Sequence, residues 1–468
     1  LRLDWDSLTG LRVTIMGLGL HGGGAAAAAF FAKHGAVVTV TDLRKEEELA
    51  ASIEKLDPFP IHYVLGRHDF LDFESADLVL KNPAVSAASP YLKAARRVET
   101  DISVFLSLAD NPLIAVTGTK GKSTTASAIY HVLAQLEPGS RLGGNITVSP
   151  LTFVDELRGV EPSPSVVLEL SSWQLADLRG KNLLAPKAAV VTNILPDHLN
   201  RYATMQEYVA DKAVIVEGQG PNDYTICNLD DPYSTRFSSA TRAQLRYFSK
   251  HPLPERLDGA WIDEDSRRGL VRSRGKVEQI LPEVLGLPGS HNRLNLLAAG
   301  LALHSAGIAT ELIRDALGSF SGIRHRLELV AEIDGRRYYN DSTATIPEAA
   351  VAAIGSFDEP VVLIAGGTDK ALDFAPFREF VRKPKCVVLL AGSATEKLVK
   401  VLASEGIDSV GPFESIDEAL LEAVKKSQRG DVIVLSPGCA SFEMFKNEFD
   451  RGDCYVRAVM QLGAAESL

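Results

Sequence analysis

The chain has 468 residues, 46% hydrophobic and 23% charged, which is ordinary for a soluble globular protein but too long for one core, so two to four domains are expected. A net charge of -11 argues against a nucleic-acid partner as a bulk property, although one basic pocket could still hold an anion. Four scattered cysteines (Cys227, Cys386, Cys439, Cys454) without a CxxC pair suggest neither a zinc ribbon nor a disulfide framework, and no apolar run is long enough to span a membrane. The opening LRLDWDSLTG also lacks a basic region followed by an apolar core. Together these predict a cytoplasmic protein in a reducing compartment.

Residues 11 to 44 start with the strand LRVTIMG, pass through GLGLHGGG into an alanine-rich helix and return to the strand AVVTVTD. Gly17, Gly19 and Gly22 satisfy GxGxxG after a strand, and Asp42 ends the second strand where a ribose-binding acid is expected. That geometry serves NAD and equally any ligand with a pyrophosphate and a ribose, such as a UDP-sugar. After the further strand ADLVLKNPAV, a small α/β domain should close near Leu106.

Leu113 to Thr125, LIAVTGTKGKSTT, predicts a strand, a Gly-rich turn and a helix start. Gly118 and Gly121 permit a tight turn with inward N–H groups at a helix N-terminus, a phosphate-holding arrangement. Lys122 would reach the β/γ-phosphates and Ser123 would sit on magnesium. The usual first glycine is replaced by Val116, so the general pattern is only partly met. Asn145 then follows Gly143-Gly144, Glu169 ends SVVLELSSWQL, and His198 follows the strand KAAVVTNIL. Ligands collect at the carboxyl ends of parallel strands, so Glu169 and His198 should share the rim of the phosphate loop, where a carboxylate is an oxygen ligand for magnesium. Taken singly, a helix-capping Glu and a satisfied His are the plainer readings, and Lys212, on a helical segment, reads by default as solvated. Residues 222 to 284 turn β-rich, and Ser290 is expected to cap a helix carrying Asn292 and Asn295 in its first turn. Near Gly322 a third unit begins, with a hairpin through Asp334-Gly335 followed by the strands VVLIAGG, CVVLLAG and VIVLSPG.

In order and spacing, TGTKGKST, GGN, LELSSWQL, TNILPDHLNRY, PGSHNRLN, His325-Arg326, YYNDSTAT and LSPGCASFEMFKNEFDRG resemble the ATP-dependent Mur ligases over nearly the whole chain. The resemblance implies three α/β domains: a Rossmann-like N-terminal UDP-sugar domain (1–106), a central P-loop-type ATPase domain (107–321) and a Rossmann-like C-terminal domain (322–468) that closes over the nucleotide. It implies ligation of D-glutamate to UDP-N-acetylmuramoyl-L-alanine through an acyl phosphate, by a monomer acting on small molecules with no nucleic-acid or membrane partner. By the same resemblance, Gly17, Gly19, Gly22, Asp42, Leu43, Arg44 and Asn145 hold the UDP substrate. Gly118, Thr119, Lys120, Gly121, Lys122, Ser123, Thr124, Asn292, Asn295, Arg326 and Asp341 hold ATP. Two magnesium ions fall to Ser123, Glu169, His198 and a carbamylated Lys212, and Lys122, Glu169, His198 and Lys212 form the catalytic set. Thr345, Lys370 and Ser441 face D-glutamate. Lys120, Thr343, Glu448 and His21 depart from the family's usual residues, and Glu448 is expected to stay out of contact with the amino acid. A folylpolyglutamate-type ligase shares the ATPase core without the GxGxxG domain, and a nicotinamide oxidoreductase would rest on the first 44 residues alone.

Overall fold

The computed structural model describes residues 2–19, 23–83, 85–86, 88–146, 148–196, 202, 204–287, 289–369, 373–378, 380 and 383–466. Among the described residues three sheets form. The chain divides into two compact units: Leu1–Glu283 with Leu294–Leu317, and Val284–Arg293 with Gly318–Leu468.

The first sheet comprises β1 (Arg12–Met16), β2 (Val37–Asp42), β3 (Ile61–Leu65), β4 (Leu78–Lys81) and β5 (Val98–Glu99), in the order β3-β2-β1-β4-β5 and parallel throughout. The second is built from β6 (Leu113–Thr117), β7 (Arg141–Gly144), β8 (Val166–Glu169), β9 (Ala188–Val191), β10 (Tyr224–Asn228), β11 (Gln244–Ser249), β12 (Gly259–Ile262), β13 (Gly269–Ser273) and β14 (Lys276–Leu281). Its order is β14-β13-β12-β11-β10-β9-β6-β8-β7. The central strands β6, β8 and β9 are buried at every position, as strands covered on both faces must be, which is why they read as unbroken apolar runs. The β-rich stretch predicted after residue 222 supplies the sheet's far edge, where β12, β13 and β14 pair antiparallel.

Both sheets belong to the first unit and share one apolar cluster, running from Val13, Ile15 and Phe31 through Phe105 to Leu168, Leu175 and Ile215. The expected boundary at residue 106 falls inside the helix Asp101–Leu108, whose Ile102, Val104 and Phe105 are buried in that cluster. Polar contacts reinforce the join. The buried Lys81 meets Asp177 at 2.7 Å, and Lys181 meets Glu99 at 2.9 Å.

In the second unit β15 (Glu328–Ile333) and β16 (Arg336–Asn340) form the predicted hairpin, with Asp334 and Gly335 at φ 48° and 68°, the left-handed pair of a tight turn. β17 (Val361–Gly366), β18 (Cys386–Leu390), β19 (Ser409–Phe413) and β20 (Val432–Leu435) complete the order β15-β16-β20-β17-β18-β19.

Four strands were not foreseen. β3 (IHYVL), β5 (VE), β7 (RLGG) and β19 (SVGPF) are short edge strands with little full burial, so none carries a clear apolar signal. One helix end also differs from expectation: Ser290 is the first residue of the helix Ser290–Ser305 rather than its cap.

Candidate active site

The phosphate loop leaves β6 at its carboxyl end and enters the helix Lys122–Leu136. Two glycines are required there. Gly118 has φ 144°, and a Cβ on it would lie 1.9 Å from Thr192 Oγ1; Gly121 has φ 81°, and a Cβ would lie 2.2 Å from Asn295 Oδ1. Gly121 occupies the N-cap position, where no side chain caps the helix, and the first turn holds no acidic residue. The helix's positive end is thus left without an internal counter-charge, as an anion site requires. Lys122 folds back over the loop, its Nζ donating to Thr119 O at 2.9 Å, and Ser123 and Thr124 follow half-buried in the first turn.

Thr119 and Lys120 brace the loop. The Thr119 N–H donates to Asn193 O at 2.7 Å and the Lys120 N–H to Asn193 Oδ1 at 2.9 Å. Thr192 Oγ1 and Asn193 Nδ2 donate in turn to Lys120 O. Thr119 Oγ1 accepts from the Leu195 N–H and lies 3.1 Å from the Tyr208 hydroxyl. The segment following β9 thus fixes the backbone of Thr119 and Lys120.

Glu169 ends β8 with 1% exposure. Its Oε1 accepts from Asn145 Nδ2 at 3.0 Å, and the Asn145 N–H donates to Glu169 O. Gly144 makes this approach possible, since a Cβ there would lie 2.1 Å from Glu169 O. Glu169 Oε2 is buried without a hydrogen-bond partner. A buried carboxylate oxygen with no donor is costly unless a cation is to be bound, so the residues present fit the magnesium ion implied for this position.

Lys212, on the helix Met205–Glu217, corrects the default solvated reading: it is 1% exposed, its Nζ donates to Gly118 O at 2.8 Å, and it lies 4.7 Å from the centre of the Tyr208 ring. The phosphate loop thus touches Asn295 at one end and Lys212 at the other. Asn292 is buried in the first turn of its helix.

A second concavity, of about 390 Å³, opens at the carboxyl ends of the first sheet's strands. Gly17, Gly19, Asp42, Leu43 and Arg44 line it together, with Met16, Gly23, His68, Asn82 and Val85. The Asp42 carboxylate accepts from the Gly19 N–H at 3.3 Å and the Arg44 N–H at 3.0 Å, so the acid that ends β2 also shapes the glycine turn. Asn145, assigned to the same substrate, stands apart from this cavity wall, on the rim with Glu169. His68 went unnoticed in the sequence. Its signal would have been the GRH that follows an unrecognised strand at the same sheet edge.

In the second unit Asp341 is buried, accepting from Ser436 Oγ at 2.7 Å and from the Leu327 N–H at 3.1 Å. Burial pushes its carboxyl up to about 7 despite these bonds and the nearby Arg326. Ser441 is 3% exposed, and among the described residues its hydroxyl has no hydrogen-bond partner. Thr345 is half-buried, its N–H donating to Thr343 O. Thr343, one of the four departures, donates both its N–H and its hydroxyl to His325 O. Glu448 opens the C-terminal helix, and its carbonyl accepts from Ser342 Oγ. Arg451 on that helix is fully buried and ties the loops of this rim together: its guanidinium donates to Ser342 O and Oγ, Cys439 O and Ala440 O. Gly22, His198, Lys370 and His21 lie outside the described residues.

A glycine-bearing strand-loop-helix beside a buried carboxylate, on the second of three α/β sheets in chain order, fits a nucleotide-dependent ligase of the Mur type. Family models for the Mur ligase MurD-like N-terminal domain, the Mur ligase middle domain and the Mur ligase glutamate ligase domain match residues 11–104, 116–303 and 325–439. The chain belongs to the Mur ligase family. A protein of Roseiflexus sp. (strain RS-1) named UDP-N-acetylmuramoylalanine--D-glutamate ligase is 41% identical over 473 residues, covering 97% of this chain and 99% of that one. One of the same name from Treponema pallidum (strain Nichols) is 41% identical over 519 residues, covering 96% and 97%. Among solved structures, UDP-N-acetylmuramate-alanine ligase MurC from Thermotoga maritima shares the fold, with a TM-score of 0.59 at 20% identity over 96% of this chain and 99% of that one. MurF ligase from the same organism, solved in complex with ADP, matches with a TM-score of 0.54 at 15% identity over 91% and 95%. Membership of this family removes the nicotinamide oxidoreductase reading. Among the described residues no helix is long and apolar enough to cross a membrane.

Proposed function

We propose that this protein joins D-glutamate to UDP-N-acetylmuramoyl-L-alanine at the expense of ATP, as a monomer in the cytoplasm, in peptidoglycan precursor synthesis. The observation that carries the reading is the carboxylate pair of conditions at Glu169: full burial with one oxygen orphaned, on the rim of the sheet whose central strand feeds an uncapped, acid-free phosphate helix.

The helix N-terminus and Lys122 neutralise charge spread over the transferring phosphoryl group, which is the main catalytic demand of phosphoryl transfer. The alanyl carboxylate attacks the γ-phosphorus, ADP departs, and an acyl phosphate results. The neutral amine of D-glutamate then adds to the acyl carbon, and loss of inorganic phosphate and a proton leaves the amide. Ser123, Glu169, His198 and Lys212 would hold magnesium, which when bound supplies charge neutralisation at the phosphate oxygens. For Lys212 this requires a carbamate, formed from the neutral amine and carbon dioxide with release of a proton. Nζ keeps one N–H in that form, so the bond to Gly118 O survives while a repelling ammonium becomes an oxygen ligand. Thr345, Lys370 and Ser441 would hold D-glutamate, and Asn292, Asn295, Arg326 and Asp341 the nucleotide. Incubating the protein with UDP-N-acetylmuramoyl-L-alanine, ATP and magnesium against a panel of amino acids, and weighing the products by mass spectrometry, tests this. Only the D-glutamate adduct is expected at high yield; preference for a neutral or basic amino acid would leave the ligase class and overturn the substrate.

A further inference from the structure

The cavity of the first sheet presents its lining in a fixed sequence along the sheet edge. The pairings Met16 with Thr41 and Asp42 with Leu65 bring the ends of β1, β2 and β3 into line. The glycine turn, the Asp42-Leu43-Arg44 segment and His68 therefore follow one another across three adjacent strands. At the usual spacing of neighbouring strands the outer two are about 10 Å apart, roughly the reach of a nucleotide from its first phosphate to its base. With the phosphates at the glycine turn and the helix Gly23–Lys33, the base falls at the end of β3, beside His68.

His68 is held there in one orientation. Its Nδ1 lies 2.7 Å from Thr41 Oγ1, and that hydroxyl, with a single proton, donates to Arg67 O at 3.1 Å. With the hydroxyl proton directed at Arg67 O, Nδ1 carries the ring proton and donates to Thr41 Oγ1, which leaves Nε2 as a lone-pair acceptor; this is the tautomer the proposal uses. Phe73 and Tyr91 pack edge-on against the ring at 5.8 Å and 5.1 Å between centres, fixing its plane. Among the described residues Nε2 has no protein hydrogen-bond partner, and His68 lines the cavity. Burial also pulls the imidazole below its ordinary range, against a weaker pull from Asp42, which keeps it neutral near pH 7.

We propose that His68 is a base-reading residue of this pocket, its Nε2 accepting the N3–H of uracil. The assignment rests on the cavity being the uridine diphosphate site of the proposed reaction. It specifies a discrimination: uracil offers a donor at N3, whereas cytosine offers a lone pair that would face the lone pair of Nε2.

Calorimetric titration of the intact protein with UDP and with CDP tests it. Wild type should bind UDP at least tenfold more tightly, about 1.4 kcal/mol. His68→Phe, which keeps a ring against Phe73 and Tyr91 but has no acceptor, should lose that preference by weakening UDP alone. Thr41→Val should reduce it by freeing the tautomer. In turnover, His68→Phe should raise KM for the UDP-sugar about tenfold and leave those for ATP and D-glutamate unchanged. A His68→Phe protein that still prefers UDP over CDP overturns the role of His68 while leaving the pocket assignment intact. Wild type that fails to bind UDP overturns both.

Discussion

Gly121→Ala tests the phosphate loop through two effects that can be separated. The first is conformational: a residue with a Cβ at φ 81° is strained by about 1–2 kcal/mol. The second is steric, because the new Cβ would lie 2.2 Å from Asn295 Oδ1 and 2.8 Å from its Cγ. Either the amide or the helix start has to move, an overpacking effect of about 1–3 kcal/mol. Their sum, about 2–5 kcal/mol, should lower the denaturation midpoint by several degrees. Displacing the first helical turn by about 1 Å should also reduce kcat/KM for ATP about a hundredfold. Asn295→Ala removes the obstacle, so the double variant should recover the steric part of the stability loss and keep the conformational part. The assay is a double-mutant cycle by thermal denaturation alongside steady-state ATP kinetics. Additive stability losses, or a Gly121→Ala protein matching wild type in both measurements, would refute the packing of Asn295 beneath this loop.

Three further outcomes follow from buried charge. Lys212→Ala should be inactive and partly rescued by short carboxylic acids, read as phosphate release; failure of every such acid to restore turnover would argue against a carbamate. Asp341, raised to about 7 in the folded state from an ordinary value near 4, contributes stability that is full below about pH 4 and is lost as the pH climbs through about 7. Asp341→Asn does not titrate, so its denaturation midpoint should gain on wild type between about pH 4 and pH 8; a constant gap across that range would contradict the shift. Arg451→Met leaves the carbonyls of Ser342, Cys439 and Ala440 without their donor and should destabilise by about 3 kcal/mol or more, measured by urea denaturation; an unchanged midpoint would show that the guanidinium does not hold the rim.

The residues that were legible in the sequence are those whose chemistry demands a pattern. Glycines at close approaches, a strand run apolar on both faces and a carboxylate at a strand end all show themselves as spacing. What stayed hidden depends on partners distant in the chain. Lys212 sits on a helix of low amphipathic contrast, and only the return of that helix against Gly118 buries it. Arg451 stands among Glu448, Asp450 and Asp453 on a charged helix, where an arginine looks solvated; the loops that bury it come from residues 342 and 439–440. β3 and β19 failed for a local reason, since an edge strand needs no apolar face and SVGPF carries a proline. His68 was lost with β3, because its meaning comes from the strand end it follows.

The central claim is that ATP activates the alanyl carboxylate as an acyl phosphate at the phosphate loop. UDP-N-acetylmuramoyl-L-alanine bearing heavy oxygen in that carboxylate, turned over with ATP and D-glutamate, tests it through the mass of the phosphate released. One labelled oxygen should pass into each inorganic phosphate. Phosphate free of label, with amide formed at the normal rate, would contradict the account.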